Sequence, residues 1–252
     1  MRFRKLLLMV MWCLLIAGVI LLFLMIGKHK KNEICSAIKI QIKNSENNHF
    51  IDTPFVLECI HADQIIGSKI SSIAVDELEL ELKRNSHIKN AEVYTDISGT
   101  LFISIWQRNA MARVINNAGE SFYIDEENFK MPVSENYTAR VLVCSGNINE
   151  KCTKSDTINS NTLKTCACIA QYVHKSSFWV STIEQIFVTS DSVIVLVSKL
   201  GDLKIIFGDS NDIESKFNKL YTFYTEVLPK TGWEKYSSID LSFKNQLIAK
   251  RK

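Results

Sequence analysis

Apolar and polar residues alternate from Ile88 to Pro132 through several short segments, the pattern of strands in a half-buried antiparallel sheet. Turn-forming residues separate these segments at three places: Ser98-Gly99, Asn117-Ala118-Gly119 and Glu126-Glu127-Asn128. The first two strands, Ala91–Ile97 and Thr100–Gln107, are therefore predicted to form a hairpin.

Upstream of this hairpin the pattern predicts one strand and two helices. Ala37–Lys43 alternates strictly and predicts a strand. Asp52-Thr53-Pro54 predicts a helix start, with a capping side chain followed by proline at the first helical position. A second helix is predicted over Val75–Arg84, where Glu79 precedes Lys83 by one turn. Its leucines also fit the period of a strand, but its strong helix formers favour the helix.

Beyond Arg108 the sequence predicts a second, strand-rich domain that contains two helices. The strands are predicted at Met111–Ile115, Ser121–Asp125, Ala139–Cys144, Ile183–Thr189, Val193–Lys199, Asp202–Phe207, Ser238–Phe243 and Gln246–Lys250. One helix is predicted over Thr162–Lys175. The other begins after Asn211, which caps it with Glu214 reaching back, and ends near Pro229 and Gly232.

Composition allows a well-packed protein and argues against a nucleic-acid surface. The chain has 252 residues, of which 46% are hydrophobic and 23% charged. Its formal net charge is only +3, and its basic residues are spread along the chain rather than clustered in one stripe. We therefore expect no nucleic acid among its partners.

One apolar segment predicts that the chain is anchored in a membrane. Leu6–Ile26 contains no charged residue, and a helix of that length crosses a hydrocarbon core of about 30 Å. No small-residue cleavage pattern follows it, so we predict an uncleaved anchor that lies in the lipid bilayer. The basic residues on its two sides nearly balance, and the terminal amine tips the prediction towards a cytoplasmic N-terminus. They are Arg2, Arg4 and Lys5 before the segment, and Lys28, Lys30 and Lys31 after it.

Several segments together resemble the bacterial cell-division family FtsQ/DivIB, in the form found in Bacteroidetes-like organisms. They are His87–Ile105, Trp106–Val114, Phe122–Asp125, Met131–Ser134, Ala139–Val143 with the following Gly146, and Trp233–Gln246. Their order and spacing cover nearly the whole chain. The order strand, helix, helix, strand, strand before Gln107 is also that of a POTRA domain.

The resemblance implies an α+β protein with a single N-terminal transmembrane helix. The predicted division is residues 1–5 as a short cytoplasmic tail, 6–26 as the transmembrane helix, 27–35 as a linker, 36–107 as a POTRA-like β-α-α-β-β domain, and 108–252 as an FtsQ-type β domain. That last domain has an open C-terminal sheet edge. The resemblance also implies an inner-membrane protein at the division septum, with both domains periplasmic.

The sequence offers no pattern of catalytic, metal-ligating or cofactor-binding residues. It contains no C-x-x-C, H-E-x-x-H, G-x-S-x-G or Walker loop, so we predict no enzyme, no small-molecule substrate and no cofactor. The acidic run Asp125-Glu126-Glu127 fits a solvated turn, and Cys166 and Cys168 point apart on a helix. Cys144 and Cys152 either pair with each other or with the helix cysteines, or stay as buried thiols.

Partner binding is implied by the resemblance at the C-terminal sheet edge, Ser238–Phe243 and Gln246–Arg251. An open edge offers backbone N–H and C=O groups to a strand of another chain. The candidate residues are Phe243, Asn245, Gln246, Leu247, Ile248, Ala249 and Arg251. The expected partners are divisome proteins of the FtsB/FtsL type, with those of the FtsW/FtsI and FtsK types as further candidates. The alternative is that these strands only complete the fold.

Three functional classes therefore compete. The favoured one is a non-enzymatic scaffold of the divisome. The alternative is a POTRA-type chaperone or assembly factor for envelope proteins, which normally carries repeated POTRA units or a barrel. A membrane-anchored cell-wall enzyme would need a nucleophile or metal set that the sequence does not show.

Overall fold

The computed structural model describes residues 11–12, 14–21, 33–44, 49–153, 156–200 and 203–252. The chain divides into two compact units, residues 1–45 with 51–107 and residues 46–50 with 108–252. Within the predicted transmembrane segment Leu6–Ile26, residues 11–12 and 14–21 are described and helical, and the rest of the segment lies outside the described residues. Across the described ranges, no helix combines the length and hydropathy that a membrane crossing requires.

The first unit is a three-stranded sheet with helices inserted between its first and second strands. Its elements are β1 (Ala37–Lys43), α1 (Thr53–Cys59), the short α2 (Ala62–Ile65), a 3₁₀ turn (Ile70–Ser72), α3 (Val75–Lys83), β2 (Ile88–Thr95) and β3 (Thr100–Gln107). The strand order is β1-β3-β2, with β3 parallel to β1 and antiparallel to β2. This is the predicted β-α-α-β-β order.

Side-chain contacts predicted from the sequence stabilise the two predicted helices, α1 and α3. The Asp52 carboxylate accepts a hydrogen bond from the Phe55 N–H at 2.9 Å and caps α1. In α3 the Lys83 ammonium lies 3.6 Å from the Glu79 carboxylate, one turn away. The other oxygen of Glu79 accepts the Val93 N–H of β2 at 2.8 Å, which fastens the helix to the sheet. The segment is therefore a helix, and the strand alternative is wrong.

The second unit contains nine described strands and three principal helical segments. The strands are β4 (Ala110–Ile115), β5 (Ser121–Asp125), β6 (Lys130–Pro132), β7 (Leu142–Gly146), β8 (Ile183–Val188), β9 (Ile194–Ser198), β10 (Lys204–Gly208), β11 (Tyr236–Asp240) and β12 (Ile248–Arg251). The helical segments are α4 (Asn161–His174), α5 (Ser177–Thr182) and α6 (Ile213–Thr222), the last continued by a π-helical turn (Phe223–Val227) and α7 (Leu228–Thr231). The strand order is β12-β11-β10-β9-β8-β7-β4-β5-β6.

Strand β7 begins three residues later than predicted, at Leu142. Two short elements of this unit, β6 and α5, were not predicted from the sequence, and one predicted cap is wrong. Strand β6 is only three residues long and ends in Pro132, which an outermost strand tolerates. Helix α5 has no side-chain cap, and Trp179 stabilises it by packing against Phe217 of α6 at 4.9 Å between ring centroids. The predicted Asn211 cap is wrong, because Asp212 precedes α6 in a left-handed conformation without a side-chain cap bond.

A buried ion-pair cluster fixes the β6 end of the sheet. The Lys130 ammonium, only 3% exposed, lies 3.2 Å from Glu150 and 2.8 Å from Asp156. The Glu150 carboxylate also accepts the N–H groups of Asn159 and Ser160 at 2.8 and 3.0 Å. Burial favours the neutral acid, but these donors and Lys130 together hold the pKa of Glu150 below its usual range.

The first prediction concerns the pH dependence of this cluster. Because the folded pKa of Glu150 is depressed, its contribution to stability is present above the unfolded value of about 4.3 and is lost as pH falls through the folded pKa. Glu150→Gln should lower the free energy of unfolding by about 1–3 kcal/mol at neutral pH. The loss should shrink towards pH 3 in denaturant titrations.

Glu226→Gln is the matched control, because Glu226 makes only an exposed pair with Lys230 at 3.1 Å. A loss for Glu150→Gln that is the same at pH 7 and pH 3 would contradict the assignment.

The second prediction concerns Gly146, at the end of β7. Its φ is +96°, and a Cβ there would lie 2.1 Å from the Val188 carbonyl oxygen. Gly146→Ala should therefore destabilise the unit by about 3 kcal/mol or more, because backbone must move. Gly119→Ala, with a φ of +79° and nothing within 4 Å, should cost only about 1–2 kcal/mol. Equal losses in thermal unfolding would contradict the steric explanation.

Candidate partner-binding site

The C-terminal strands form one end of the sheet in the second unit. β11 runs parallel to β10, and β12 pairs antiparallel with β11, with Ile239 opposite Ala249 and Asp240 opposite Ile248. β12 is the outermost strand of the sheet order, and no other described strand pairs with it. The outward backbone groups of β12 therefore form an open edge within the described part of the chain.

The candidate residues divide between this strand and the loop before it. Ile248, Ala249 and Arg251 lie on β12, as expected. The other four candidates lie in the connecting loop rather than in a strand: Phe243, Asn245, Gln246 and Leu247. Both strands are shorter than predicted, since the observed bounds are Tyr236–Asp240 and Ile248–Arg251.

Hydrogen bonds of two side chains accompany the early end of β11 at Asp240 and the late start of β12 at Ile248. The Asp240 carboxylate accepts the Ser242 N–H at 2.9 Å and turns the chain away from the ladder. The Lys219 ammonium, from α6, then binds the carbonyl oxygens of Phe243, Lys244 and Gln246 at 2.7, 3.4 and 3.3 Å. This ammonium therefore fixes the irregular loop between the two strands.

The candidate side chains alternate between the core and the surface. Leu247 and Ala249 are half-buried and pack against the hydrophobic core. Phe243 and Ile248 are 45% and 46% exposed, which is high for large apolar side chains. The edge thus presents apolar contacts beside its unpaired backbone.

A groove lies directly beside this edge. Its volume is about 440 Å³, and α6 with its π-helical turn forms one wall while the loop and β12 form the other. The lining residues are Lys219, Thr222, Phe223, Val227, Asn245, Gln246, Leu247 and Ala249. The four helical residues among them were not candidates in the sequence, because no local pattern indicates which strand a helix will contact.

The π-helical turn in this wall has a local cause. Pro229 lacks an N–H, so the helix cannot form its usual bond from this position to the residue four before it. The Thr225 hydroxyl bonds back to the Tyr221 carbonyl at 2.9 Å, and the widened turn spans Phe223–Val227. Gly232 ends the whole helical segment with a φ of +98°, as the sequence predicted.

The charge around the edge is predominantly positive. Lys244, Lys250, Arg251 and Lys252 are all exposed, and Asp240 is the acidic residue of the paired strands. Lysine and arginine on an edge oppose pairing with a second copy of the same edge and attract an acidic strand.

The groups considered for chemistry have structural roles. The Asp125 carboxylate accepts the N–H groups of Glu127 and Phe129, both at 2.8 Å, and pairs with Arg108 at 2.6 Å. This acidic run thus forms the β5–β6 turn. In the described ranges, no group of three or more His, Cys, Asp or Glu side chains is placed to hold a metal ion.

Two of the cysteines meet in the core. Cys144 of β7 and Cys166 of α4 are both fully buried and within hydrogen-bonding contact. That hydrogen bond, together with burial, raises the pKa of the Cys144 thiol well above its usual value. Of the alternatives left open by the sequence, the structure has the thiols free, with Cys144 and Cys166 buried next to each other.

Comparison with known families identifies both parts of the chain. A family model described as FtsQ/DivIB, C-terminal related, matches residues 109–250, more than half of the chain. A POTRA-like domain model matches residues 33–106.

Individual relatives match over a shorter stretch. Proteins named cell division protein FtsQ from Rickettsia felis and Rickettsia conorii are each 31% identical over 87 residues, and the one from Rickettsia bellii is 32% identical over the same length. The alignments cover 34% of this chain and about a third, 31%, of each relative. These relatives are Rickettsia proteins, so the Bacteroidetes-like assignment stays a prediction.

The third prediction tests the loop anchor. Lys219→Met should release three carbonyl groups and increase amide hydrogen exchange across residues 243–247, with a loss of about 1 kcal/mol in unfolding free energy. Lys230→Met is the control, because Lys230 lies on the same helical segment and pairs only with exposed Glu226. Unchanged exchange in the Lys219 variant would show that the loop does not depend on this ammonium.

Proposed function

The chain belongs to the FtsQ/DivIB family of cell-division proteins, and on that premise we propose that it is a non-enzymatic bitopic scaffold of the divisome. Leu6–Ile26 anchors it in the inner membrane with the N-terminus in the cytoplasm. The POTRA-like domain, residues 36–107, and the β domain, residues 108–252, then lie in the periplasm at the division septum. The absence of charged residues over the whole of Leu6–Ile26, a segment long enough to cross the membrane as a helix, supports the anchor.

The proposed activity is recruitment of FtsB/FtsL-type partners by strand addition to β12. The open edge of β12 carries this proposal, because its outward N–H and C=O groups have no partner strand among the described residues. A partner strand would satisfy these groups, which gives affinity, while side-chain contacts give specificity. FtsW/FtsI-type and FtsK-type proteins are further proposed partners of the assembly.

The groove beside the edge supports a two-part contact. A partner strand on β12 would continue past Leu247 and Ala249 into a groove with Phe223 and Val227 on its far wall. Exposed Phe243 and Ile248 do not line the groove and would contact the partner strand at the edge itself. Because each is already about half-buried, covering the rest would contribute less than the roughly 1.5–3 kcal/mol of a full burial. The basic residues of the edge favour a partner segment that carries carboxylates.

The fourth prediction uses two proline substitutions in β12. Successive N–H groups of a strand point to opposite sides, so of Ala249→Pro and Lys250→Pro one removes a donor to β11 and the other an outward donor. The variant that removes the outward donor should keep the thermal stability of the wild type. It should bind the FtsB-type partner about tenfold or more weakly, because one backbone hydrogen bond and the close packing of the added strand are lost. Binding of the full chain to the purified partner measures this.

Crosslinking in dividing cells tests the same edge, with control positions elsewhere on the surface. Photocrosslinkers at Phe243 and Leu247 should capture a small bitopic partner, whereas crosslinkers at Val180 and Phe187, equally exposed positions away from the edge, should not. Capture of no such partner from the edge positions would overturn strand addition. Loss of outer-membrane barrels rather than filamentous growth on depletion would favour the assembly-factor alternative.

A further inference from the structure

Three large apolar side chains are exposed at one end of the first unit. Ile34, Ile66 and Ile97 are 57%, 53% and 81% exposed, and we call them the isoleucine patch. They come from three separate segments. Among the described residues 33–44 and 51–107, only two other large apolar side chains, Leu80 and Tyr94, are comparably exposed.

Backbone hydrogen bonds hold the first two segments together. The Cys35 N–H donates to the Ser68 carbonyl and the Gly67 N–H donates to the Cys35 carbonyl, both at 2.8 Å. The Ile70 N–H donates to the Glu33 carbonyl at 2.9 Å, and Ile34 forms an antiparallel bridge with Lys69. Ile34 and Ile66 are therefore fixed at the same end of the unit.

The β2–β3 hairpin brings the third isoleucine to this end. The Ser36 N–H donates to the Gly99 carbonyl at 2.9 Å. Gly99 packs so closely that a Cβ there would lie 2.5 Å from the Ile34 carbonyl oxygen. The tip is rigid, because the Asp96 carboxylate accepts the N–H groups of Ser98 and Thr100 at 2.9 and 2.8 Å.

Isoleucine at such a tip needs an explanation other than folding. Tight turns favour glycine, asparagine, aspartate and serine, and a β-branched apolar residue contributes nothing to turn geometry. At 81% exposure Ile97 also contributes little to the core. Three such residues gathered at one end indicate a surface that is covered in the working protein.

The position of this end identifies what covers it. Only six residues separate Ile26, the end of the proposed membrane anchor, from Glu33, the first described residue after it. Even fully extended, that connection reaches at most about 25 Å. Three of the six residues are lysines, which attract the headgroups of anionic lipids.

We propose that the isoleucine patch docks on the surface of the bilayer that holds the chain's own anchor, with Ile34, Ile66 and Ile97 inserted among the lipid headgroups. The inference rests on the proposed anchorage and adds a second membrane contact to it. The short tether keeps the local lipid concentration high, so three side chains suffice for a contact that would be weak in a detached domain. The contact fixes the end of the first unit against the membrane.

The fifth prediction tests this contact with tryptophan probes in the full chain. Ile97→Trp and Leu80→Trp each add one probe at an exposed position of the first unit, at the patch and on α3 respectively. The variants are reconstituted in liposomes that contain brominated phospholipids, which quench tryptophan at the headgroup and acyl boundary. Relative to the parent chain, the added emission at position 97 should be quenched several-fold more than that at position 80.

Two further variants show whether the patch acts as a unit. Ile34→Ser with Ile66→Ser, introduced together into the Ile97→Trp chain, should abolish most of the added quenching. Leu80→Ser in the same chain should leave it unchanged. Equal quenching at positions 97 and 80, or no effect of the serine pair, would overturn the docking surface.

Trp12 separates failure of this inference from failure of the anchorage. The sequence places it within the proposed anchor, and Trp12→Phe isolates its emission. Quenched Trp12 with an unquenched probe at position 97 retains the anchor and refutes the docking. Unquenched Trp12 refutes both. Protection of the patch in cells, without quenching in liposomes, would assign it to a protein partner and overturn the lipid proposal.

Discussion

An open sheet edge leaves backbone N–H and C=O groups in need of partners, and the second unit meets this need differently at its two ends. At β6 the Lys130 N–H donates to the Asp156 carbonyl at 2.7 Å, and Phe129 bridges Thr157. The buried Lys130 ammonium holds the same covering segment through Asp156. At β12, no described residue provides such a cover. The two edges therefore differ, and β12 is the one without a described cover.

The same end of the molecule supplies side-chain contacts as well as backbone groups. Lys219 binds three loop carbonyls and so keeps the chain before β12 out of the ladder, with Phe243 exposed. The π-helical turn caused by Pro229 widens the facing helix. A groove of about 440 Å³ lies between this helix and the edge, and both apolar and polar residues form its walls. An edge strand and an adjoining groove together favour a partner that continues beyond a single strand.

Prediction from sequence succeeded where a local pattern was sufficient. The bounds of β1, β3 and β5 are those predicted, since strict alternation and glycine-containing turns define them without help from distant residues. It failed for the short elements that long-range contacts stabilise. β6 exists through its pairing with Tyr123 of β5, and α5 through the packing of Trp179. The Asn211 cap failed because the backbone at Asp212 is left-handed.

For the candidate site, the sequence by itself determined that residues 238–251 contain two strands with apolar and basic side chains. The hydrophobic period, the turn residues and the charge are local properties, so they can be read from the order of the amino acids alone. Only the tertiary structure decided that β12 is outermost, that Lys219 binds the loop between the two strands, and that Phe223 and Val227 face the edge. These facts depend on which elements pack together, and packing joins residues whose separation in sequence carries no signal.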